Sequence, residues 1–419
     1  MFSRRAKGRS IDGRSDAPAA IRAGGGVPTF VFALSIAVFA PLIHAADWSG
    51  NISTELRAFP NEAMYPDQHN ASVSIAAQPE FHHRWDGDKH SFTFAPFLRV
   101  DQYDDERTHT DIRELTWLSA APAHEWRVGI RKVFWGVTES QHLVDIINQT
   151  DGVENPDGED KLGQPMVNLA LIQSWGTVDF FVLPGFRERT FPGAEGRPRL
   201  PLSVDANHAE YQSDREQSHV DAALRYRHSL GDWDIGLSYF TGTSRDPRFN
   251  ARVINGVPTL VPYYDLIKQT GLDAQATLGG WLWKLEAIYR TGQGDSYAAA
   301  TGGFEYTFSG VFETGMDLGL IAEYLYDERG DDAPTPLADD VLIGCRLALN
   351  DAQSTDLLAG VLFDSDGGAR NVSIEGSRRL SGDWKLSIEA RVYAGASTND
   401  PLYVFRDDDY LQFELARHF

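Results

Sequence analysis

From residue 48 onward the chain alternates apolar and polar residues at period two, the spacing of a β-strand with unlike faces. In the last such stretch Leu411, Phe413, Leu415 and Phe419 share one face, while Gln412, Glu414 and His418 share the other. The alternating stretches predict strands near 48–59, 70–86, 89–103, 109–121, 124–134, 166–176, 177–184, 217–230 and 232–243. The second half adds 264–280, 281–293, 301–312, 314–328, 339–350, 353–364, 370–381, 383–395 and 408–419. That gives about eighteen strands, or sixteen if one hairpin is miscounted. Most exceed the roughly 9 to 11 residues with which a tilted strand crosses a bilayer.

The connections sort the strands into hairpins. Those after even-numbered strands are tight, as at Asp86-Gly87-Asp88, Leu230-Gly231-Asp232, Gly279-Gly280 and Ser381-Gly382-Asp383. Those after odd-numbered strands are longer, and the segments near 135–165 and 185–216 are about thirty residues each. Short turns at one end and long loops at the other are the layout of a transmembrane, up-and-down antiparallel β-barrel, with the turns periplasmic and the loops extracellular. Trp85, Trp175, Trp233, Trp281, Trp283 and Trp384 all lie beside the tight turns, where an aromatic belt would meet a membrane surface. The closing stretch Tyr410 to Phe419 resembles the carboxy-terminal strand of Gram-negative outer-membrane barrels, and Arg417 departs from it by standing on the apolar face.

Ahead of the strands, Arg4, Arg5, Lys7, Arg9, Arg14 and Arg22 precede an apolar run from Val27 to Ile43 that ends at Ala45-Ala46. This reads as a secretory signal over residues 1–45, leaving residues 46–419 as one barrel domain with a cell outer-membrane address. The whole chain carries 38 basic and 60 acidic residues for a net charge of −22, and the leader is basic, so the remainder is more acidic still. Nucleic acid is thereby excluded as a partner. A single cysteine, Cys345, rules out an intrachain disulfide and shares its face with Val341, Ile343 and Leu347. No metal or cofactor motif is present, and no cofactor is expected. Acidic runs such as Asp104-Asp105-Glu106 and Asp407-Asp408-Asp409 fall in the predicted outer loops. There they are solvated, or share divalent cations with lipopolysaccharide, the partner expected alongside outer-membrane lipid.

If the apolar parity faces lipid, the other parity lines a lumen. Trp126, Val128 and Ile130 then turn Arg127 and Arg131 inward, and the same rule places Arg225, Arg227, Lys284, Arg290, Lys385 and Arg391 on the pore wall. Against lipid such charges would cost about 2 to 4 kcal/mol each near the midplane. The loop near 135–165 contains Leu143, Val144, Ile146 and Ile147, which are out of place in water. They predict a short helix folded inward against the barrel wall.

Gly129-Ile130-Arg131-Lys132-Val133-Phe134-Trp135-Gly136, followed by Asp145-Ile146-Ile147-Asn148, resembles a motif of a Gram-negative porin-like family related to the alginate-export porins. The resemblance implies a constriction formed by Glu139, His142, Asp145, Asn148 and Asp151 facing Arg127 and Arg131. It also implies a channel for passive diffusion or export of small hydrophilic solutes and admits a homotrimer, while the wall arginines lean the solute toward anionic or carbohydrate ones. Two alternatives stand beside it. One is an outer-membrane barrel hydrolase, for which Glu80, His82 and Arg84 share a strand face without a nucleophile beside them in sequence. The other is a non-conducting barrel that binds partners through its long loops. The channel is the stronger reading and an enzyme is not expected.

Overall fold

The computed structural model describes residues 46–419 apart from residues 336, 366 and 367. The expected signal segment lies outside the described residues. The strands are β1 (Ala46–Ala58), β2 (Ala71–Trp85), β3 (His90–Asp101), β4 (His109–Ala121), β5 (His124–Arg131), β6 (Gln164–Gln173) and β7 (Gly176–Pro184). They continue with β8 (Glu210–Tyr211), β9 (Val220–Leu230), β10 (Trp233–Thr243), β11 (Arg248–Ile254), β12 (Val257–Tyr264), β13 (Leu266–Leu278) and β14 (Trp281–Gly292). The last are β15 (Gly294–Val311), β16 (Met316–Asp327), β17 (Asp339–Ala348), β18 (Asp356–Asp364), β19 (Arg370–Ser381), β20 (Trp384–Ala394) and β21 (Tyr410–His418).

Eighteen of these pair antiparallel with their chain neighbours, and β1 closes on β21 with Asn51 opposite His418 and Ala58 opposite Leu411. The terminal Phe419 is tied in as well, by reciprocal backbone bonds with Gly50 of 3.0 and 3.1 Å. Closure matters because an open edge has no partner for its N–H and C=O groups in hydrocarbon. Strand bounds fall within a few residues of those predicted. The exception is β15, which begins at Gly294 rather than near 301, because its start pairs across a bulge at Arg290/Gly292. The remaining strands, β8, β11 and β12, form a small sheet at the long-loop end that alternation did not predict. Its β11–β12 hairpin turns at Asn255-Gly256, both with positive φ, the requirement of a tight two-residue hairpin turn.

The outer face is apolar and exposed. All six tryptophans expected beside the tight turns point outward there, joined by Trp48, Trp117 and Trp126. Arg417 does face outward, and its guanidinium lies 6.0 Å from the Trp384 ring beside a tight turn. A cation near the end of the apolar band keeps its charge at the polar boundary. The inner face is not uniformly polar. Met166, Phe181, Leu183, Phe240, Ile267 and Ile288 point inward from β6, β7, β10, β13 and β14, and form one buried cluster with Trp135, Val144, Ile146 and Ile147. Nine of the ten tryptophans are outside, and Trp135 is buried in this cluster.

Candidate pore and its inward loop

The segment between β5 and β6, residues 132–163, leaves the wall where β5 stops at Arg131 and enters the barrel. It contains no helix. The apolar residues do pack inward, but without helical hydrogen bonds, because side-chain acceptors take the backbone N–H groups instead. Asp145 Oδ1 accepts from the N–H of Trp135 at 2.5 Å and of Gly136 at 3.1 Å. Asn148 accepts from Val133 N–H at 2.8 Å and donates to the carbonyls of Arg131 and Leu162.

Two carboxylates of the wall hold the next turn. Glu286 on β14, fully buried, accepts from the N–H groups of Val137, Thr138 and Val144 and from the Thr138 hydroxyl, at 2.6 to 3.1 Å. Glu323 on β16 accepts from the N–H groups of Glu139 and Ser140 and from the Ser140 hydroxyl, at 2.7 to 3.0 Å. Charge-assisted bonds of this kind contribute about 1.5 to 3 kcal/mol each. Glu139 itself reaches Lys284 at 3.3 Å and Arg346 of β17 at 2.8 Å.

The tip crosses to the opposite wall. Glu154 sits among basic side chains, with Arg99 Nη2 at 2.8 Å and His109 Nε2 at 2.7 Å, while Arg107 donates to the Val153 carbonyl at 2.9 Å. Burial opposes the Glu154 charge, but His109, Arg99 and Arg107 outweigh it and hold its carboxyl down at about 2. Asp151 has no exposed surface and pairs with Arg113 of β4 at 2.7 Å. His109, Asp151 and Glu154 bring donor atoms within 4.8 Å of one another, close enough for a cation, yet the guanidinium groups of Arg99 and Arg113 already engage the two carboxylates. The returning limb places Asp157 3.1 Å from Arg391 of β20, and Asn155 donates to Glu389 at 3.0 Å. The loop is thus fixed to β1, β3 and β4, to β13–β17 and to β20.

The expected constriction residues separate on this geometry. Glu139 and His142 line the cavity left beside the loop. Asp145 and Asn148 border a second cavity, but their side chains hold the loop together, and Asp151 is buried against Arg113. Arg127 and Arg131 face inward and contact Asn168 at 3.4 and 3.2 Å rather than the loop carboxylates. Of the expected wall residues, Arg225 pairs with Asp273 at 2.8 Å, Arg227 with Asp179 at 3.5 Å, and Arg290 with Asp246 at 2.9 Å. Lys385 stands half-buried beside the tight turn at Gly382. Glu80, His82 and Arg84 share the inner face of β2, and Arg84 Nε lies 2.8 Å from His82 Nε2.

Arg57, Arg99, Arg107, Arg113 and Arg346 were not singled out from the sequence. For Arg99 the signal was present, since Leu98 and Val100 are outward and the parity rule turns the residue between them inward.

Two cavities flank the loop. One, of about 600 Å³, lies between Glu139, His142, Asp157 and Glu159 on the loop and Leu342, Gly344, Leu358, Gly360 and Arg391 on β17, β18 and β20. The other, of about 440 Å³, opens toward the long loops, and its lining holds His142 and seven lysine and arginine side chains, Lys161, Arg189 and Arg329 among them, against the carboxylates Asp145, Asp246 and Asp327. Burial opposes a charge on His142, but Glu159 and Glu286 hold its proton, raising it to about 10, so it is cationic at neutral pH.

Fold and interior together define the class: a closed, up-and-down antiparallel barrel of eighteen strands with a loop docked inside it. No known family model and no curated protein matches the chain. Among solved structures it is similar to variants of the Rhodopseudomonas blastica porin, at 13% identity and a TM-score of 0.44, over 89% of this chain and 100% of theirs. An engineered protein solved for its asymmetric conductivity is similar to the same extent, with 13% identity, a TM-score of 0.44 and the same shares of the two chains.

Proposed function

We propose that this chain is an outer-membrane diffusion channel, a porin in the general sense, whose inward loop sets the passage. The observation that carries this reading is the loop, fixed at both of its flanks and at its tip, beside which a cavity of about 600 Å³ is left open against the β17–β20 wall. A barrel of about 16 to 18 strands is wide enough for an aqueous channel, so an inserted loop narrows the bore without having to seal it. The apolar outer face, the tryptophans beside the tight turns and the signal-like leader support the outer-membrane placement.

The solute is a small anion or an acidic carbohydrate. In a chain with 60 acidic and 38 basic residues, the mouth cavity reverses the balance: Arg245, Arg248, Arg290 and Arg329 are paired with Asp221, Asp265, Asp246 and Asp327, which leaves Lys161, Arg189 and Arg199 against Asp145. The inner cavity is closer to neutral, since Glu139 pairs with Lys284 and Arg346, Asp157 with Arg391, and Glu159 with protonated His142. An anion is therefore concentrated at the mouth and meets compensated charge further in.

The test is single-channel recording of the refolded mature chain in a planar bilayer, with reversal potential under a salt gradient. Steady open steps with anion preference are expected. Steady steps with cation preference would overturn the solute assignment alone. Silence from protein shown to be folded and inserted would remove the channel and favour a surface-binding barrel.

A further inference from the structure

One stretch of the barrel wall is incompletely hydrogen-bonded. β2 and β3 pair from Ser74↔Asp101 to Ala77↔Leu98 and again, in the same register, from Phe81↔Phe94 to Trp85↔His90. The register sets Pro79 directly opposite Pro96 in the interval, and neither has an N–H to donate. On the far side of β3 a bulge at Ala95/Pro96 leaves Arg113 without an opposite residue. β4 then loses its next neighbour above Leu115↔Ile130, since β5 ends and the chain turns into the lumen.

A cavity of about 700 Å³ occupies this part of the wall, lined by Pro79, Pro96, Leu98, Ile112, Ile130 and Pro165 on the outward parity. Phe97 and Asp111, on the inward parity, line it too. Because its lining includes residues of both parities, the cavity is cut into the thickness of the wall and does not merely lie on its outer surface. Arg187, from the loop after β7, spans the gap: its guanidinium lies 2.8 Å from Asp111 Oδ1 on β4 and donates at 2.8 Å to the carbonyl of Gly163 beside β6.

We infer that this gap is a lateral port that takes one acyl chain of a membrane lipid from the leaflet on the long-loop side, with Arg187 and Asp111 as its clasp. The inference rests on the membrane placement proposed above. The groove is continuous with the outward band formed by Ile75, Leu98 and Val100, all at least 46% exposed, so a chain lying on that band enters without crossing polar surface. Two opposed prolines also remove donors that would be costly in hydrocarbon. The gap lies in the half of the barrel away from the tryptophan-bearing turns, because β4 runs from the long-loop end at His109 to the tight turn after Ala121.

The test counts lipid retained by the full mature barrel, extracted from lipid vesicles in mild detergent, by native mass spectrometry. Flotation with the vesicles first establishes insertion. The wild type should keep one lipid, and Ala77→Trp, which fills the groove, should keep none while conducting as before. Pro79→Val with Pro96→Val restores both donors, lets the ladder close and should give the same loss if the tryptophan variant does not fold. Arg187→Gln should exchange deuterated lipid several-fold faster than the wild type. An inserted wild type without lipid, or filled and closed variants that retain as much lipid as the wild type, overturns the port and leaves the membrane reading standing. Failure to float overturns both. Dissociation of an oligomer by Ala77→Trp would show that a second copy, not a lipid, covers the groove.

Discussion

Glu286 shows how one side chain fixes the pore. Its parity on β14, between the outward Leu285 and the loop-facing lumen, marks it as interior from sequence alone, but nothing in the sequence tells that its carboxylate caps four donors of a loop some 140 positions earlier. Glu286→Gln keeps the shape and sets an amide N–H₂ against those donors. It should weaken loop docking by on the order of 2–3 kcal/mol, read as larger or flickering open steps in single-channel records, and unchanged steps would remove Glu286 as the anchor. Glu154 gives a pH signature. Its carboxyl is held at about 2 against an ordinary 4.5, so its contribution is present above pH 4.5 and lost as pH falls through about 2. Proteolytic clipping of the tip should rise over that range in the wild type, and Glu154→Gln should flatten the profile.

At the scale of the element, the 132–163 loop is an extended strap with an apolar underside. Val144, Ile146 and Ile147 are 1% exposed or less and pack on the inner faces of the strands that also carry Phe181, Leu183 and Phe240. Their place inside was legible in the sequence, because four aliphatic residues in five positions do not sit in water. Their conformation was not, because a helix and a strap satisfied by foreign carboxylates bury the same side chains. The partner surface carried a signal of its own: Phe180-Phe181-Val182-Leu183 breaks the period-two rule because β7 is apolar on both sides. Ile146→Ala or Ile147→Ala should cost about 2 to 5 kcal/mol of docking. Because the strand ladders close without the loop, that cost should appear as gating noise and loop proteolysis rather than as a lower barrel melting temperature. An equal fall in melting temperature would show that the loop is part of the barrel's cooperative unit.

For the whole molecule, selectivity is a balance of charges brought from distant segments. Arg189 and Lys161 reach the same mouth from different loops. Arg189→Ala combined with Lys161→Ala should shift the reversal potential toward cations, and an unmoved potential would place the selectivity elsewhere. Burial pushes Asp157 up to about 6 against the pull of Arg391, and burial with Glu154, Asp157 and Asp151 nearby pushes Asp160 to about 6. Lowering the pH from 7.5 to 5 therefore removes the Asp157 charge from the lining of the passage and the Asp160 charge from the same loop, and anion preference should rise. A fall in anion preference over that range would contradict the assignment.

The sequence by itself determined the eighteen strands, their inward and outward faces, the tight turns and the entry of one loop. Each of these follows from a local rule: period-two alternation, turn residues, or the misfit of aliphatic side chains in water. Only the tertiary structure decided which charges meet. Glu139 finds Lys284 and Arg346 rather than Arg127 and Arg131, Asp151 finds Arg113, and Pro79 comes to stand opposite Pro96. Parity gives the side of the wall a residue faces, whereas strand register and the path of the strap set its height and its neighbour across the bore. Those depend on the closure of all eighteen strands at once.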